Sequence, residues 1–434
     1  MSSTSPSLLF DTPLQLTCGL TLRNRIVRAA AFAGGSALEQ SVILGEAAKG
    51  GAAAVTVAYT AISEDGRTFA QQLLLDPKSP PPNLAEISRV AHEAGALAFF
   101  QLTHAGGFAN PDLIPSRSEP PLAPCALFEP ALFGFTRACT SADLDRLTND
   151  FAASARLVCS NDIGGDGVEV HFGHGYLLSQ WLSPVTNRRT AEHGGSASNR
   201  LRFPMRVIRA VRTAIGKEKA LFVKLNIDDG IKGGVSPMDV KETINALCAE
   251  HGLVDGIIPS AGFVSKNGFF MLRGRVPREG MIRAISRISW TKGAALSLLG
   301  KWLVPELPFS EAFLKEGALQ VLRAASSSFP VPVFAIGGYI SLQGVEDALS
   351  NGFAGVQMAR ALIREPDLID RWKKFADTRR GGGGGGGVGG GGMGDNGTGN
   401  CDDQYGLPSP CSHCNECVLG SLSPDLPARC VERE

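Results

Sequence analysis

His171 and His174 stand three residues apart, and Tyr176 follows two positions later. Two imidazoles can both donate hydrogen bonds to one carbonyl or nitro oxygen, and a phenol beside them can deliver a proton. Gly173 and Gly175 flank His174; glycine lets the backbone take unusual angles and lets a flat ligand come close. A bare His-x-x-His is equally compatible with two structural loop histidines. His104, at the end of another apolar run, is balanced between the same two roles.

The elements that must position these groups show in the hydropathy pattern. Apolar, β-branched runs at 25–28, 53–58, 96–101, 167–171, 221–226, 254–259, 333–336 and 355–358 predict eight strands. Helical patterns lie between them, as at 84–94, 143–160, 199–215, 237–250 and 342–351. Strand and helix alternating over about 360 residues predicts an α/β fold, a (β/α)8 TIM barrel. A doubly wound open sheet competes, but no Gly-x-Gly-x-x-Gly follows the first strand. Catalytic groups in a barrel sit at the C-terminal ends of strands, where Gln101, His171, His174, Lys224 and Gly337-Gly338 fall. Two long connections, 105–140 and 262–310, are candidate lids over the mouth; the second is equally compatible with an outside subunit contact in a homo-oligomer.

Composition narrows the partners. Lys plus Arg and Asp plus Glu both count 42, and no basic block interleaves with aromatics, which argues against nucleic acid. No run of about 18 apolar residues or signal-like start occurs, so a soluble cytoplasmic protein is expected, without membrane contact. Five cysteines, Cys18, Cys125, Cys139, Cys159 and Cys248, are scattered as reduced buried thiols would be. The other five crowd into the last 34 residues, beyond a glycine run at 381–399. Glycine loses the most backbone freedom on ordering and brings nothing to bury. The expected organisation is therefore a barrel over 1–378, a disordered glycine linker over 379–400 and a separate cysteine tail over 401–434.

Residues 169–203, EVHFGHGYLLSQWLSPVTNRRTAEHGGSASNRLRF, resemble the signature of the Old Yellow Enzyme family of FMN-dependent oxidoreductases. LLFDTPLQLTCGLTLRNRIVRAA, AYTAISEDGR, QLTHAGG, FAIGGY and VQMARALIREPDL resemble further family segments in the same order. The resemblance covers residues 8–373. It implies FMN, with NAD(P)H as the hydride source and a small electrophilic alkene as substrate. His171 and His174 would bind the substrate oxygen while Tyr176 protonates the α-carbon. Gln101 would meet the pyrimidine edge of the flavin, and Lys224, where many relatives have Arg, would face its N1–C2=O region. Ala30, Ala31 and Tyr59 would line the ring system. Gly337, Gly338, Ala359 and Arg360 would hold the phosphate, Arg360 by a charge-assisted contact.

The tail reads Cys411-x2-Cys414-x2-Cys417-x12-Cys430, a spacing that suits a [4Fe-4S] cluster or a zinc site. It is similar to the cluster segment that follows the barrel in trimethylamine dehydrogenase and 2,4-dienoyl-CoA reductase. Cys401 fits no register. Three readings follow: an NAD(P)H-driven ene reductase; a flavin and cluster-dependent dehydrogenase or enoyl-thioester reductase fed by an electron-donor protein; and a non-catalytic barrel with a zinc-binding interaction tail.

Overall fold

Eight parallel strands pair in sequence order around a barrel: β1 (Ile26–Arg28), β2 (Ala54–Ala61), β3 (Leu97–Thr103), β4 (Gly167–Phe172), β5 (Ala220–Asp228), β6 (Gly256–Ala261), β7 (Phe334–Ala335) and β8 (Gly355–Met358). β8 returns beside β1, and a parallel bridge between Ile257 and Val333 joins β6 to β7. This computed structural model describes residues 8–32, 34–113, 119–288, 290–326, 329–381, 406–421 and 430–433. Helices cover the outside: α1 (Ala37–Lys49), α2 (Leu84–Glu93), α3 (Ser141–Val158), α4 (Ala197–Ile215), α5 (Pro237–Leu247), α6 (Lys315–Ala325), α7 (Leu342–Ser350) and α8 (Leu368–Gly381). Strands enclosed on both faces read as continuous apolar runs, and every residue of β2 is buried. Reciprocal capping boxes, Ser36 with Glu39, Thr140 with Asp143 and Ser236 with Asp239, start α1, α3 and α5.

The barrel floor is filled by Phe99, Phe222 and Phe334, with ring centroids 5.1 and 5.4 Å apart in succession. The N-terminal hairpin, Leu14–Gln15 with Thr21–Leu22, brings Leu16 and Leu22 into the same cluster. A Cβ on Gly256 would lie 2.4 Å from the Phe222 ring, so this strand position needs a hydrogen for a side chain. Gly256→Ala is expected to destabilise the fold by roughly 1–3 kcal/mol through overpacking. Denaturant midpoints of the two proteins check this, and an unchanged midpoint contradicts it.

The first of the two long connections differs from the lid expected of it. Residues 119–140 form two small strand pairs, and among the described residues of 105–140 none lines the main cavity described below. They instead border a separate cavity of about 280 Å³ beside Gln180 and Lys266. Within 262–310 a helical hairpin forms, Arg278–Ile288 and Trp290–Leu303, while Val264, Gly268, Met271 and Leu272 reach the main cavity.

The cysteine tail is not set apart from the barrel. Asn415 donates to the carbonyls of Arg273 and Arg275, at 2.8 and 2.9 Å. The Ser409 N–H donates to the Ile340 carbonyl, and the His413 ring stacks on Phe309 at 3.4 Å between centroids. Leu419 is buried against the helical hairpin at Gly280. A glycine linker frees a tail to move but does not stop its apolar and amide groups from docking. Residues 382–405, most of the expected linker together with Cys401, lie outside the described residues. Among the described residues no helix is long and apolar enough to cross a membrane.

Candidate active site

The strands open at their C-terminal ends into one cavity of about 270 Å³. Ala30, Ala31, Tyr59, Gln101, His171, His174, Tyr176, Lys224, Gly337, Gly338, Ala359 and Arg360 all line it. His171 lies near the end of β4, opposite Lys224 on β5 in the strand register. The Gly173 N–H donates to His171 Nδ1 at 3.1 Å, which assigns the ring proton to Nε2. His174 adopts a left-handed φ of 59°, followed by Gly175 at 74°. Its N–H donates to Asn226 Oδ1 at 2.9 Å, and its Nε2 lies 2.7 Å from Ser260 Oγ. The two imidazoles meet edge-on, 4.7 Å between centroids. A Cβ on Gly175 would fall 2.2 Å from the Phe263 ring, so only glycine fits this turn.

Tyr176 caps the short helix Leu177–Leu182 and stacks on Tyr59, 5.1 Å between centroids. Phe32 and Phe69 continue this aromatic wall. Burial raises the Tyr176 phenol above its ordinary value, an effect the hydrogen bond from Tyr59 tempers, so Tyr176 keeps its proton near neutrality. Burial, then the competing His174 imidazole and the Lys224 charge, hold His171 well below the usual imidazole range. Burial and Lys224 push His174 down to about 3. Both rings are neutral hydrogen-bonding groups rather than cations.

These depressed values fix the sign of a pH effect. The unfolded chain protonates both imidazoles near about 6.5, while the folded chain resists. Below that pH the unfolded state binds more protons, so stability falls as acid is added. For His174 the loss runs from the unfolded value down to about 3. Each group contributes at most about 1.4 kcal/mol per pH unit in that window. Melting temperature should therefore fall between about pH 6.5 and 4, and His174→Asn should flatten the slope. Parallel slopes for the two proteins would contradict this.

Under the histidines lies a polar floor that sequence reasoning missed. Glu169, 1% exposed, accepts from Gln101 Nε2 at 2.5 Å and Gln357 Nε2 at 3.1 Å. Its Oε1 also lies 2.8 Å from Lys224 Nζ, in an ion pair buried on both sides. Gln101, Lys224 and Gln357 line the cavity, whereas Glu169 stands behind them. The available sign was its position two residues before His171, which puts both on one face of β4. Asn226 and Ser260, which hold His174, carry the same kind of sign near the ends of β5 and β6.

Two further residues singled out in the sequence have defined protein partners. His104 lies off the cavity: its Nδ1 accepts from the Gly106 N–H, and its Nε2 is 3.5 Å from Asp65. Arg360 lines the cavity, but its guanidinium donates to the carbonyls of Leu272 and Arg273 and, at 2.6 Å, to Asn415 Oδ1. Those acceptors tie the guanidinium to the 272–273 loop and to the tail. Gly337 and Gly338, at φ 119° and 88°, remain at the cavity with the Ala359 backbone.

Cys411, Cys414, Cys417 and Cys430 border a small neighbouring cavity, and none is in a disulfide. Arg360, Ile363, His413 and Cys417 line both cavities. Burial pushes the Cys417 thiol up to about 12, against the pull of Arg360. Among the described residues, no three Cys, His, Asp or Glu side chains stand as ligands around one metal ion.

A parallel barrel carrying neutral imidazoles, a protonated phenol and this amide–ammonium floor at its mouth has the architecture of a flavin-dependent barrel oxidoreductase. Residues 9–256 match the NADH:flavin oxidoreductase / NADH oxidase family, and the chain belongs to that family. It is a flavin-dependent NAD(P)H oxidoreductase of the old yellow enzyme type. Over 376 residues it is 36% identical to 4,4'-dithiodibutanoate disulfide reductase of Rhodococcus erythropolis, covering 86% of this chain and 90% of that one. Over 329 residues it is 32% identical to the multifunctional alkene reductase/demethylase OYE of Caballeronia cordobensis, covering 75% of this chain and 42% of that longer protein. The old yellow enzyme homologue from Zymomonas mobilis superposes with a TM-score of 0.64 over 85% of this chain and 92% of that one, at 22% identity, a likeness of fold.

Proposed function

We propose that the protein is an FMN-dependent, NAD(P)H-driven reductase of electron-poor C=C bonds conjugated to a carbonyl or nitro group. The observation that carries this reading is the convergence of His171, His174 and Tyr176 above a floor of Gln101, Lys224 and Gln357. The residues present fit a flavin. The floor offers donors and an ammonium to a pyrimidine edge, and the buried Gln357 Oε1 has no hydrogen-bond partner among the described residues. Ala29, Ala30 and Ala31 leave room for a flat ring, and Gly337, Gly338 and Ala359 bring backbone to the opposite rim, where a phosphate would lie. Bound FMN would take hydride from NAD(P)H and supply it to the substrate. His171, through its Nε2 proton, and His174 would hold the substrate oxygen and stabilise the negative charge that grows there. Tyr176, protonated and beside them, would donate its proton to the α-carbon.

The name of the Rhodococcus relative adds an aliphatic disulfide as an alternative electrophile for the same pocket. There hydride would attack one sulfur, and Tyr176 would protonate the departing thiolate. A second reading, in which a partner protein feeds the flavin through an iron–sulfur cluster on Cys411, Cys414, Cys417 and Cys430, is favoured by the cavity these thiols share with Arg360. Arg28 and Arg360 both place positive charge near Cys417, which opposes the rise that burial imposes on its thiol. Iron and acid-labile sulfide per chain test that reading. For the main reading, anaerobic turnover with NADH or NADPH should consume cyclic enones or nitroalkenes. Turnover of disulfides alone would replace the alkene assignment, and turnover of neither would refute both.

A further inference from the structure

We propose that Glu169 is a positioning residue that sets the reduction potential of the bound flavin by neutralising Lys224 and anchoring the cavity floor. The inference rests on the flavin reading of the cavity, but it concerns a residue that does not touch the cavity at all.

One carboxylate serves three separate strands. Oε1 of Glu169 meets Gln101 of β3 and Lys224 of β5, and Oε2 meets Gln357 of β8. In the strand register Gln101 is the direct neighbour of Glu169, and Lys224 is the neighbour of His171 one layer nearer the mouth. A buried ammonium without a partner is strongly disfavoured, and so is a buried carboxylate. Together they leave the floor with no net charge. Alone, Lys224 would favour the electron-rich reduced flavin over the oxidised form. With Glu169 at 2.8 Å, much of that pull is cancelled.

The floor therefore does two things at once. It holds Gln101, Lys224 and Gln357 at fixed positions against the ligand. It also keeps the reduced flavin a good hydride donor rather than an overstabilised product. Substitution of Glu169 should shift the redox equilibrium in a way that mere loosening of the floor would not.

Glu169→Gln keeps an acceptor for Lys224 while removing the negative charge. Gln357 can turn its amide to accept the new N–H, because its Oε1 has no hydrogen-bond partner among the described residues. The expected result, by dye-equilibrated potentiometry of the flavin-loaded protein, is about a tenfold shift toward reduced flavin, or about 30 mV more positive for two electrons. Lys224→Met should shift the equilibrium the other way, because it leaves the Glu169 carboxylate unpaired beneath the flavin. The double variant Glu169→Gln/Lys224→Met has the same net charge as the native floor. It should return to within about threefold of the native equilibrium, and this coupling isolates the charge effect. If either single variant fails to fold, the double variant, which buries no unpaired charge, still decides the matter. A double variant displaced as far as expected for loss of Lys224 alone overturns the proposal, as does a flavin-loaded Glu169→Gln protein with the native potential. A native protein that holds no flavin would instead defeat the reading of the cavity itself.

Discussion

Replacing Tyr176 with phenylalanine should slow reoxidation of the reduced enzyme by its alkene about 10²- to 10⁴-fold, the usual effect of losing a positioned general acid. Reduction by NAD(P)H should stay near native speed, because that step needs no proton from Tyr176. The phenylalanine ring can keep the stack on Tyr59, so the wall of the cavity survives the change. Burial keeps the native phenol protonated, which allows it to act as a donor across the neutral pH range. Stopped-flow traces of the two half-reactions separate the steps. Equal losses in both would mean that the hydroxyl serves binding or packing and that another group delivers the proton.

The second large effect concerns the tail. A protein ending after residue 405 loses Asn415, which holds Arg360, Arg273 and Arg275 together. It also removes His413, Cys417 and Val418 from the cavity wall and uncovers the hairpin surface beneath Leu419. Flavin retention is expected to weaken at least tenfold, since loss of about 1.4 kcal/mol of contacts suffices for that factor. Flavin content after gel filtration, with melting temperature alongside, measures the effect. Full occupancy and an unchanged melt would mean that the tail merely rests on the barrel. Sequence reasoning pointed the other way, because the glycine run conceals any docking. What it could not show is that Asn415 and Leu419 find partners on a loop more than a hundred residues earlier.

The barrel was legible because its strands are buried on both faces, and runs such as AVTVAYTA carry that burial in their composition. Residues with chemistry of their own, His171, His174, Tyr176, Gln101 and Lys224, announced the cavity because they end those strands. Glu169 was hidden by the same strand that revealed His171, since a lone carboxylate in an apolar run gives no hint of its three partners. α1 was harder to read because Gln40 and Ser41 are buried polar residues that blur its apolar face. The direction of the Arg360 side chain was not legible for a related reason. Its residue type suits a phosphate, but its direction depends on carbonyls of Leu272 and Arg273 that no local pattern links to it.

The proposed function requires this cavity to bind FMN and to pass hydride from NAD(P)H to an activated alkene. An anaerobic absorption titration of the purified full-length protein tests it most directly. The expected result is a flavin spectrum that NAD(P)H bleaches and an enone or nitroalkene restores, with FMN released on denaturation. FAD, no flavin after reconstitution, or a bleached flavin that no activated alkene reoxidises would contradict it.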